Sequence, residues 1–77
     1  MTLKIRHTLA SNVRQIRIQK GLSQEALGFK CKMPDVYISK IEREILNVGI
    51  DNLEKIAKAL GVKPGLLLEP EAYRQVS

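Results

Sequence analysis

Apolar residues follow a helical spacing in two long segments of the chain. In the first segment Ile5, Leu9, Val13 and Ile16 are separated by four, four and three positions. This spacing is typical of one helix face, so we predict a helix from Ile5 to Lys20. A later stripe consists of Ile50, Leu53, Ile56, Ala57 and Leu60. It predicts a second long amphipathic helix near the C-terminal end.

Glycine and proline mark where the helices end. Gly21 and Gly61 directly follow the two predicted helices, in the position where a residue with positive φ commonly closes a helix. Pro64 suits the first position of a further short helix that carries the three consecutive leucines 66–68, and Pro70 ends or kinks that helix. The C-terminal region therefore adds one short helix to the two longer ones.

The pattern of the central segment predicts two short helices separated by a tight break. Ser23 is placed as an N-cap for a helix of about Gln24 to Cys31, since its hydroxyl can accept a backbone N–H from two or three residues on. Pro34 interrupts this helix and suits the start of another, from about Pro34 to Arg43. In that helix Ile38 and Ile41 are predicted to face the core. Two short helices joined by a tight turn form a helix-turn-helix.

The chain has 77 residues, enough for one domain with a modest core, and we expect a single all-α domain over residues 1–77. Residues 70–77 are expected to be either a frayed tail or an arm against a neighbour. Thirteen Lys and Arg oppose eight Asp and Glu, which gives a formal net charge of +5. This surplus favours a polyanionic partner, with nucleic acid as the first candidate and an anionic membrane as the second.

Other function classes lack the residues they need. One cysteine, Cys31, and one histidine, His7, lie far apart in the sequence and provide no cluster of metal ligands. We find no arrangement of nucleophile, base and acid, and no glycine-rich phosphate loop, so we expect neither an enzyme nor a cofactor or small-molecule ligand. No apolar run approaches the length of a membrane span, and the first residues do not resemble a secretory signal. We expect a cytoplasmic protein.

Three runs of residues resemble a known family. They are IRIQKGLSQEAL (16–27), YISKIERE (37–44) and DNLEKIAKALGV (51–62), and their order and spacing match as well. In these runs the chain resembles the Cro and lambda-repressor-like helix-turn-helix regulators, often called the XRE family. The resemblance implies a five-helix domain whose second and third helices bind double-stranded DNA, with the third helix in the major groove.

The resemblance and the helical pattern together predict a DNA-binding surface. The family pattern implies that Gln24 binds a phosphate and that the hydroxyl of Tyr37 reaches the DNA backbone. Lys40, Ser39 and Val36 carry groups that can contact base edges, whereas Asp35 suits either a cytosine or the helix dipole. The predicted DNA-binding set is Gln24, Lys32, Asp35, Val36, Tyr37, Ser39, Lys40, Arg43 and Asn47.

Two further features come from the family pattern. The family pairs an arginine late in helix one with a glutamate late in helix three, which predicts a structural ion pair between Arg17 and Glu42. The chain also departs from the pattern, because Lys32 and Glu44 stand where the family usually has glycine, and Pro34 stands where it usually has a serine or threonine cap. A non-glycine residue at positive φ is strained unless the backbone takes another path.

Selective binding to DNA predicts a second copy of the chain. One small domain reads too few base pairs to select a site in a genome, so we expect a homodimer on a pseudo-palindromic operator with half-sites about 34 Å apart. The C-terminal part carries more large apolar groups than a small core can cover. The predicted dimer interface is Ile50, Leu66, Leu67, Leu68 and Tyr73.

A narrower resemblance concerns the biological role. The small size and the segment LNVGIDNLEKIAKALGV (46–62) look similar to the controller proteins of restriction-modification systems, which regulate their own operon as dimers. A phage-type repressor shares the same fold and length. A different class also stays open: an antitoxin-like protein-interaction module, or a basic amphipathic domain on a membrane.

Overall fold

The computed structural model of the chain describes residues 4–76; both ends of the predicted domain, Met1–Leu3 and Ser77, lie outside the described residues. The α-helices are α1 (Lys4–Gln19), α2 (Gln24–Cys31), α3 (Asp35–Glu42) and α4 (Ile50–Leu60). Two 3₁₀ segments follow, Pro64–Leu68 and Ala72–Gln75. Residues 4–76 contain no strand, so the predicted all-α class is confirmed. The count of five α-helices is not, because the predicted fifth helix is the first 3₁₀ segment.

The two long helices end on glycine, as the sequence predicts. Gly21 after α1 has a φ of 72° and Gly61 after α4 has a φ of 74°. In each case the next residue reaches back five positions: the Leu22 N–H donates to the Arg17 carbonyl at 3.0 Å, and Val62 closes α4 in the same way. This bond satisfies a carbonyl that the helix itself leaves unpaired.

The two short helices end with the same bonds but without glycine. Lys32 after α2 has a φ of 61°, and Glu44, two residues after the end of α3, has a φ of 64°. The Met33 N–H donates to the Gly28 carbonyl at 2.8 Å, and the Ile45 N–H donates five positions back at 3.1 Å. Lys32 and Glu44 are therefore strained residues, in the places where the family pattern has glycine.

One hydrophobic core joins all four helices and the first 3₁₀ segment. The most buried large side chains are Val13, Ile16, Leu27, Ile38, Ile41, Ile56, Leu60 and Leu67. The first residue of the predicted stripe on α1 is an exception, because Ile5 is 63% exposed. It lies in the first turn of α1, next to a groove that no other segment of residues 4–76 fills.

A buried asparagine fixes the C-terminal segment to α1. The Asn12 side chain is fully buried, and its amide nitrogen donates to the carbonyls of Leu67 and Glu69 at 2.9 and 2.8 Å. Its amide oxygen accepts the N–H of Tyr73 at 3.2 Å. Ala72, in the second 3₁₀ segment, is fully buried. The described part of residues 70–77 is therefore docked on the domain and is not frayed.

No helix within residues 4–76 has the length and apolar character needed to cross a membrane.

Candidate nucleic-acid interface

The outer face of α3 carries the side chains that the sequence predicts to read DNA. Ile38 and Ile41 are buried and fix which side of this eight-residue helix faces the core. Helical geometry places four other positions on the opposite side, namely 36, 39, 40 and 43. Val36, Lys40 and Arg43 are exposed there, and Ser39 is half-buried beside them. This face offers one methyl-bearing, one hydroxyl and two cationic groups, which suits base edges and phosphates together.

The start of α3 adds two predicted residues with different environments. Asp35 is exposed in the first turn, where its charge favours the helix dipole. Tyr37 is half-buried, and its hydroxyl oxygen accepts a hydrogen bond from the Asn52 side-chain amide at 2.8 Å. This bond from α4 orients the tyrosine and leaves its hydroxyl hydrogen free to donate. The orienting role of Asn52 was not predicted from the sequence, which carries no pattern that links it to Tyr37.

The start of α2 is capped as predicted. The Ala26 N–H donates to the Ser23 hydroxyl at 2.9 Å, so this N-cap is confirmed. Gln24 follows the cap, and its side-chain amide donates to Glu42 Oε1 at 3.1 Å. An amide nitrogen has a second hydrogen to donate, and the positive end of α2 lies beside it. Gln24 is thus held in one orientation without losing its capacity to bind a phosphate.

The predicted partners Arg17 and Glu42 are brought together in a buried cluster. Arg17 Nε donates to Glu42 Oε2 at 2.7 Å and Nη2 donates to Oε1 at 3.0 Å. The remaining guanidinium nitrogen donates to the Leu22 carbonyl at 2.8 Å. The two side chains are only 11% and 1% exposed. With Gln24, this anchor cluster connects the end of α1, the α1–α2 turn, the start of α2 and the end of α3.

The turn between α2 and α3 is packed too closely to admit a side chain at one position. A Cβ added to Gly28 would lie 2.6 Å from the backbone oxygen of Met33. Lys32, in the turn itself, is exposed and sits in the left-handed conformation described above. The turn therefore leaves space only for glycine at position 28 of the preceding helix, whereas position 32 in the turn holds a lysine despite its φ. A second unpredicted contact, 2.8 Å between His7 Nδ1 and Glu44 Oε2, joins α1 to the segment after α3.

A groove of about 770 Å³ lies at the edge of the core, between the start of α1, the α3–α4 loop and the start of α4. Its lining is Lys4, Ile5, Arg6, Leu9, Leu46, Asn47, Val48, Ile50, Leu53 and Leu68. Two residues of the predicted dimer interface lie here, Ile50 at 81% exposure and the half-buried Leu68. Asn47, predicted to bind DNA, is exposed on the same groove.

The other predicted interface residues lie elsewhere. The prediction for Leu67 is wrong, because this side chain is fully buried in the chain's own core and has no surface to offer a partner. Tyr73 is half-buried, and its carbonyl accepts the Gln19 side chain at 2.8 Å, at the opposite end of α1 from Ile5. An α-helix of 16 residues spans about 24 Å, so Tyr73 and Ile50 do not share one compact patch. Leu66 is half-buried and does not line the groove.

Cys31 behaves as a core residue. It is buried at the end of α2, and burial raises the pKa of its thiol above the usual value. A protonated, inaccessible thiol is a poor nucleophile and a poor ligand. Within residues 4–76 no group of three or more histidine, cysteine and carboxylate side chains could hold a metal ion.

Comparisons with known proteins agree with this geometry. Residues 13–67 match the family model HTH_3, described as helix-turn-helix. The chain is 53% identical over 70 residues to the control protein C.BamHI of Bacillus amyloliquefaciens, and the match covers 90% of this chain and 86% of that protein.

Two solved structures extend the comparison. The crystal structure of a hypothetical transcription factor, NHTF, from Neisseria has a TM-score of 0.86 and 42% identity and covers 92% of this chain and 82% of that one. The restriction-modification controller protein C.Esp1396I, solved as a tetramer in complex with its natural 35 base-pair operator, has a TM-score of 0.77 and 33% identity. That match covers 87% of each chain. Its operator complex shows that a relative of this chain binds DNA as an oligomer.

Proposed function

The chain belongs to the XRE-type helix-turn-helix family, and from this premise we propose that it is a sequence-specific DNA-binding regulator of transcription. The observation that carries the proposal is the outer face of α3, which presents Val36, Ser39, Lys40 and Arg43 on a helix anchored from behind by Arg17 and Glu42. A rigid helix that displays mixed polar and apolar groups suits the major groove. The net charge of +5 adds attraction to the phosphates.

Each predicted DNA-binding residue takes a role in this proposal. Val36, Ser39 and Lys40 contact base edges, and Asp35 either accepts from a base or supports the helix dipole. Gln24 and Tyr37 are polar groups held by Glu42 and Asn52, so they bind phosphates with little loss of side-chain freedom. The exposed residues Lys32 and Arg43 complete the phosphate contacts. Asn47 lines the groove that we assign to the dimer below, so its phosphate contact is made at the edge of that interface.

The active form we propose is a homodimer that forms through the groove. Ile5 and Ile50 are exposed at its edges, and Leu46, Val48, Leu53 and Leu68 line it. A monomer rarely leaves so many large apolar side chains around one groove, because covering them from water is favourable. In such a twofold dimer the two α3 helices would read half-sites about one turn of DNA apart, as helix-turn-helix dimers do.

The similarity to C.BamHI and C.Esp1396I supports a narrower role. We infer that the chain is a restriction-modification controller that binds the operator of its own operon, acts in the cytoplasm and has no catalytic activity. In this role the concentration of the protein itself would set the occupancy of the operator. An adjacent endonuclease and methyltransferase gene pair would agree with this role, whereas an adjacent toxin gene would contradict it.

A salt titration tests DNA binding directly. We expect the chain to protect a segment of the DNA upstream of its own gene, and affinity for that segment to fall by about tenfold or more per doubling of salt between 50 and 200 mM. This steep dependence follows from the release of counterions by several phosphate contacts. Binding that is insensitive to salt would contradict the proposal and favour a protein partner.

The dimer has a separate test. Ile50→Glu places a charge at the proposed interface and should convert the dimer to a monomer in sedimentation equilibrium, because Ile50 is exposed and the fold does not depend on it. Ile18→Glu is the matched control, since Ile18 is a half-exposed isoleucine that does not line the groove. A dimer that persists in Ile50→Glu would reject this interface.

A further inference from the structure

One hydrogen bond connects α4 to the reading helix at the hydroxyl of Tyr37. The Tyr37 ring packs against the hydrophobic core, which fixes the position of its oxygen. The Asn52 side-chain nitrogen donates to that oxygen at 2.8 Å. Both side chains are half-buried, so the bond is partly shielded from water while Tyr37 keeps exposed surface for a partner.

The direction of this bond determines what the hydroxyl can do next. A phenol has one hydrogen to donate and lone pairs with which to accept, and a free hydroxyl rotates to serve either purpose. An amide nitrogen only donates, so the bond from Asn52 occupies a lone pair of Tyr37 and turns the hydroxyl hydrogen away from α4. Tyr37 is therefore preset as a donor and needs an acceptor on its partner.

The surroundings of the hydroxyl favour an acceptor with negative charge. Asn52 lies in the first turn of α4, so the Tyr37 hydroxyl lies near the positive end of that helix dipole. The exposed Asp51 in the same turn carries the opposite charge, and Lys40, three positions after Tyr37 on α3, balances it. On DNA the charged acceptors are the phosphate oxygens, whereas the acceptors on base edges are neutral.

We propose that Asn52 is a positioning residue for DNA binding, which presets the Tyr37 hydroxyl as a hydrogen-bond donor to a phosphate oxygen of the operator. This inference rests on the proposed function, in which Tyr37 binds the DNA backbone, and adds the direction of the bond and the residue that sets it. Asn52 acts before the DNA arrives, because a hydroxyl that already points outward loses little freedom on binding.

Reversing the direction of the bond is the sharpest test. Asn52→Asp has nearly the same shape, but its carboxylate accepts the hydroxyl hydrogen and leaves oxygen lone pairs facing the phosphate. We expect affinity for the protected segment upstream of the gene to fall by about tenfold or more.

The added charge of Asn52→Asp also repels DNA, so the same change is made next to Tyr37→Phe, which lacks the hydroxyl. There only the charge acts, and affinity should fall by less than about threefold relative to Tyr37→Phe alone. Losses of equal size in the two backgrounds would overturn the proposal, because the tyrosine hydroxyl would then have no part in the effect.

Removing the donor provides a second test without a change in charge. Asn52→Leu keeps a similar volume and frees the hydroxyl to rotate, so affinity should fall by about threefold next to Tyr37 and stay unchanged next to Tyr37→Phe. Gln19→Leu is the matched control, because the Gln19 amide donates to the Tyr73 carbonyl, outside the reading unit. It should leave affinity unchanged in both backgrounds. A loss from Asn52→Leu that persists next to Tyr37→Phe would overturn the proposal.

A phosphate scan tests the acceptor itself. Each phosphate of the protected segment is replaced in turn by an uncharged methylphosphonate. We expect one position in each half-site where this replacement lowers the affinity of the natural chain by about tenfold but lowers that of Tyr37→Phe and Asn52→Asp much less. A scan without such a position would overturn the proposal, since the hydroxyl would then donate to no phosphate.

Failure of this inference is distinguishable from failure of the proposed function. If the natural chain binds the protected segment with the expected salt dependence, but the effects of Asn52 and Tyr37 variants are independent of each other, this inference alone fails. If no segment of the upstream DNA is bound, the proposed function fails and this inference fails with it.

Discussion

The scaffold of α1, α4 and the 3₁₀ segments differs from the reading unit of α2 and α3 in how its parts are fixed. The scaffold ends both helices on glycine and holds its last segments through the neutral, fully buried Asn12. The reading unit ends on Lys32 and Glu44 at positive φ and is held through the charged pair of Arg17 and Glu42. The scaffold is thus built from locally relaxed pieces, whereas the reading unit keeps strained backbone that tertiary contacts must stabilise.

The two buried polar groups differ in what they cost. A neutral amide is satisfied by three hydrogen bonds to backbone and needs no counter-charge. A buried carboxylate carries a desolvation cost, which the bidentate arginine must offset. The anchor cluster also fixes the angle of α3 relative to α1, because it makes several directional hydrogen bonds.

The largest loss of stability is expected from breaking the anchor cluster. Arg17→Ala leaves the Glu42 carboxylate buried and without its cation, and should lower the free energy of unfolding by about 3–5 kcal/mol in urea denaturation. Lys40→Ala, an exposed change on the same unit, should alter it by less than about 0.5 kcal/mol. Equal melting temperatures for the two variants would refute the structural role of the pair.

Removing the Asn12 side chain, the neutral clamp of the scaffold, should lower the stability by less. Asn12→Ala leaves one buried carbonyl, one partly buried carbonyl and one partly buried N–H without their partner, and should lower the free energy of unfolding by about 2–3 kcal/mol. Gln19→Ala removes a more exposed bond to the same C-terminal segment and should cost under about 1 kcal/mol. If Asn12→Ala proved more damaging than Arg17→Ala, the ranking of the two clamps would be reversed.

Adding a side chain at Gly28, next to the turn of the reading unit, should cause an intermediate loss of stability. Gly28→Ala should lower the free energy of unfolding by about 1–3 kcal/mol although alanine favours helix, because its Cβ would lie 2.6 Å from a backbone oxygen. The matched control is Gly65→Ala in the first 3₁₀ segment, where an added Cβ meets no atom within 4 Å. Thermal melts in which both variants keep the natural stability would show that the turn can open without cost.

The smallest expected effect isolates backbone strain. Lys32→Gly should raise the free energy of unfolding by about 1 kcal/mol, and Gly21→Lys should lower it by a similar amount, since a Cβ at Gly21 meets nothing and only its φ of 72° matters. Lys32→Gly should also remove one phosphate contact and so lower the slope of log affinity against log salt concentration by about 1. A stability change of the same sign in both variants would contradict the strain assigned to Lys32.

The pattern of the chain sufficed to predict most of the helices. The predicted ends of α2 and α4 and the cap at Ser23 agree with the structure because they depend on local signals: periodicity, a hydroxyl cap and glycine. The geometry of the fifth segment was not predictable. Three consecutive leucines suit a short α-helix and a 3₁₀ segment alike, and the bond of Asn12 to the Leu67 carbonyl is a contact across 55 positions.

The candidate site likewise has features that local periodicity predicts and contacts that it does not. Helical periodicity places Val36, Ser39, Lys40 and Arg43 on one face, because Ile38 and Ile41 define the other. The partners of Gln24 and Tyr37 could not be found in this way, since Glu42 and Asn52 lie on other helices. The interface prediction for Leu67 failed for a related reason: composition shows an excess of apolar groups but not which of them the core covers.

The sequence by itself determined the boundaries of the four α-helices to within about one residue, most of their inward positions and the positive surplus, because each depends on neighbours within a few positions or on composition alone. Tertiary structure alone decided that Asn12 is a buried clamp, that Lys32 and Glu44 adopt left-handed conformations, and that Ile5 and Phe29 remain exposed. These features depend on contacts between segments that are distant in the sequence. The burial of a side chain and the conformation that its backbone must adopt follow from those contacts, so no local pattern predicts them.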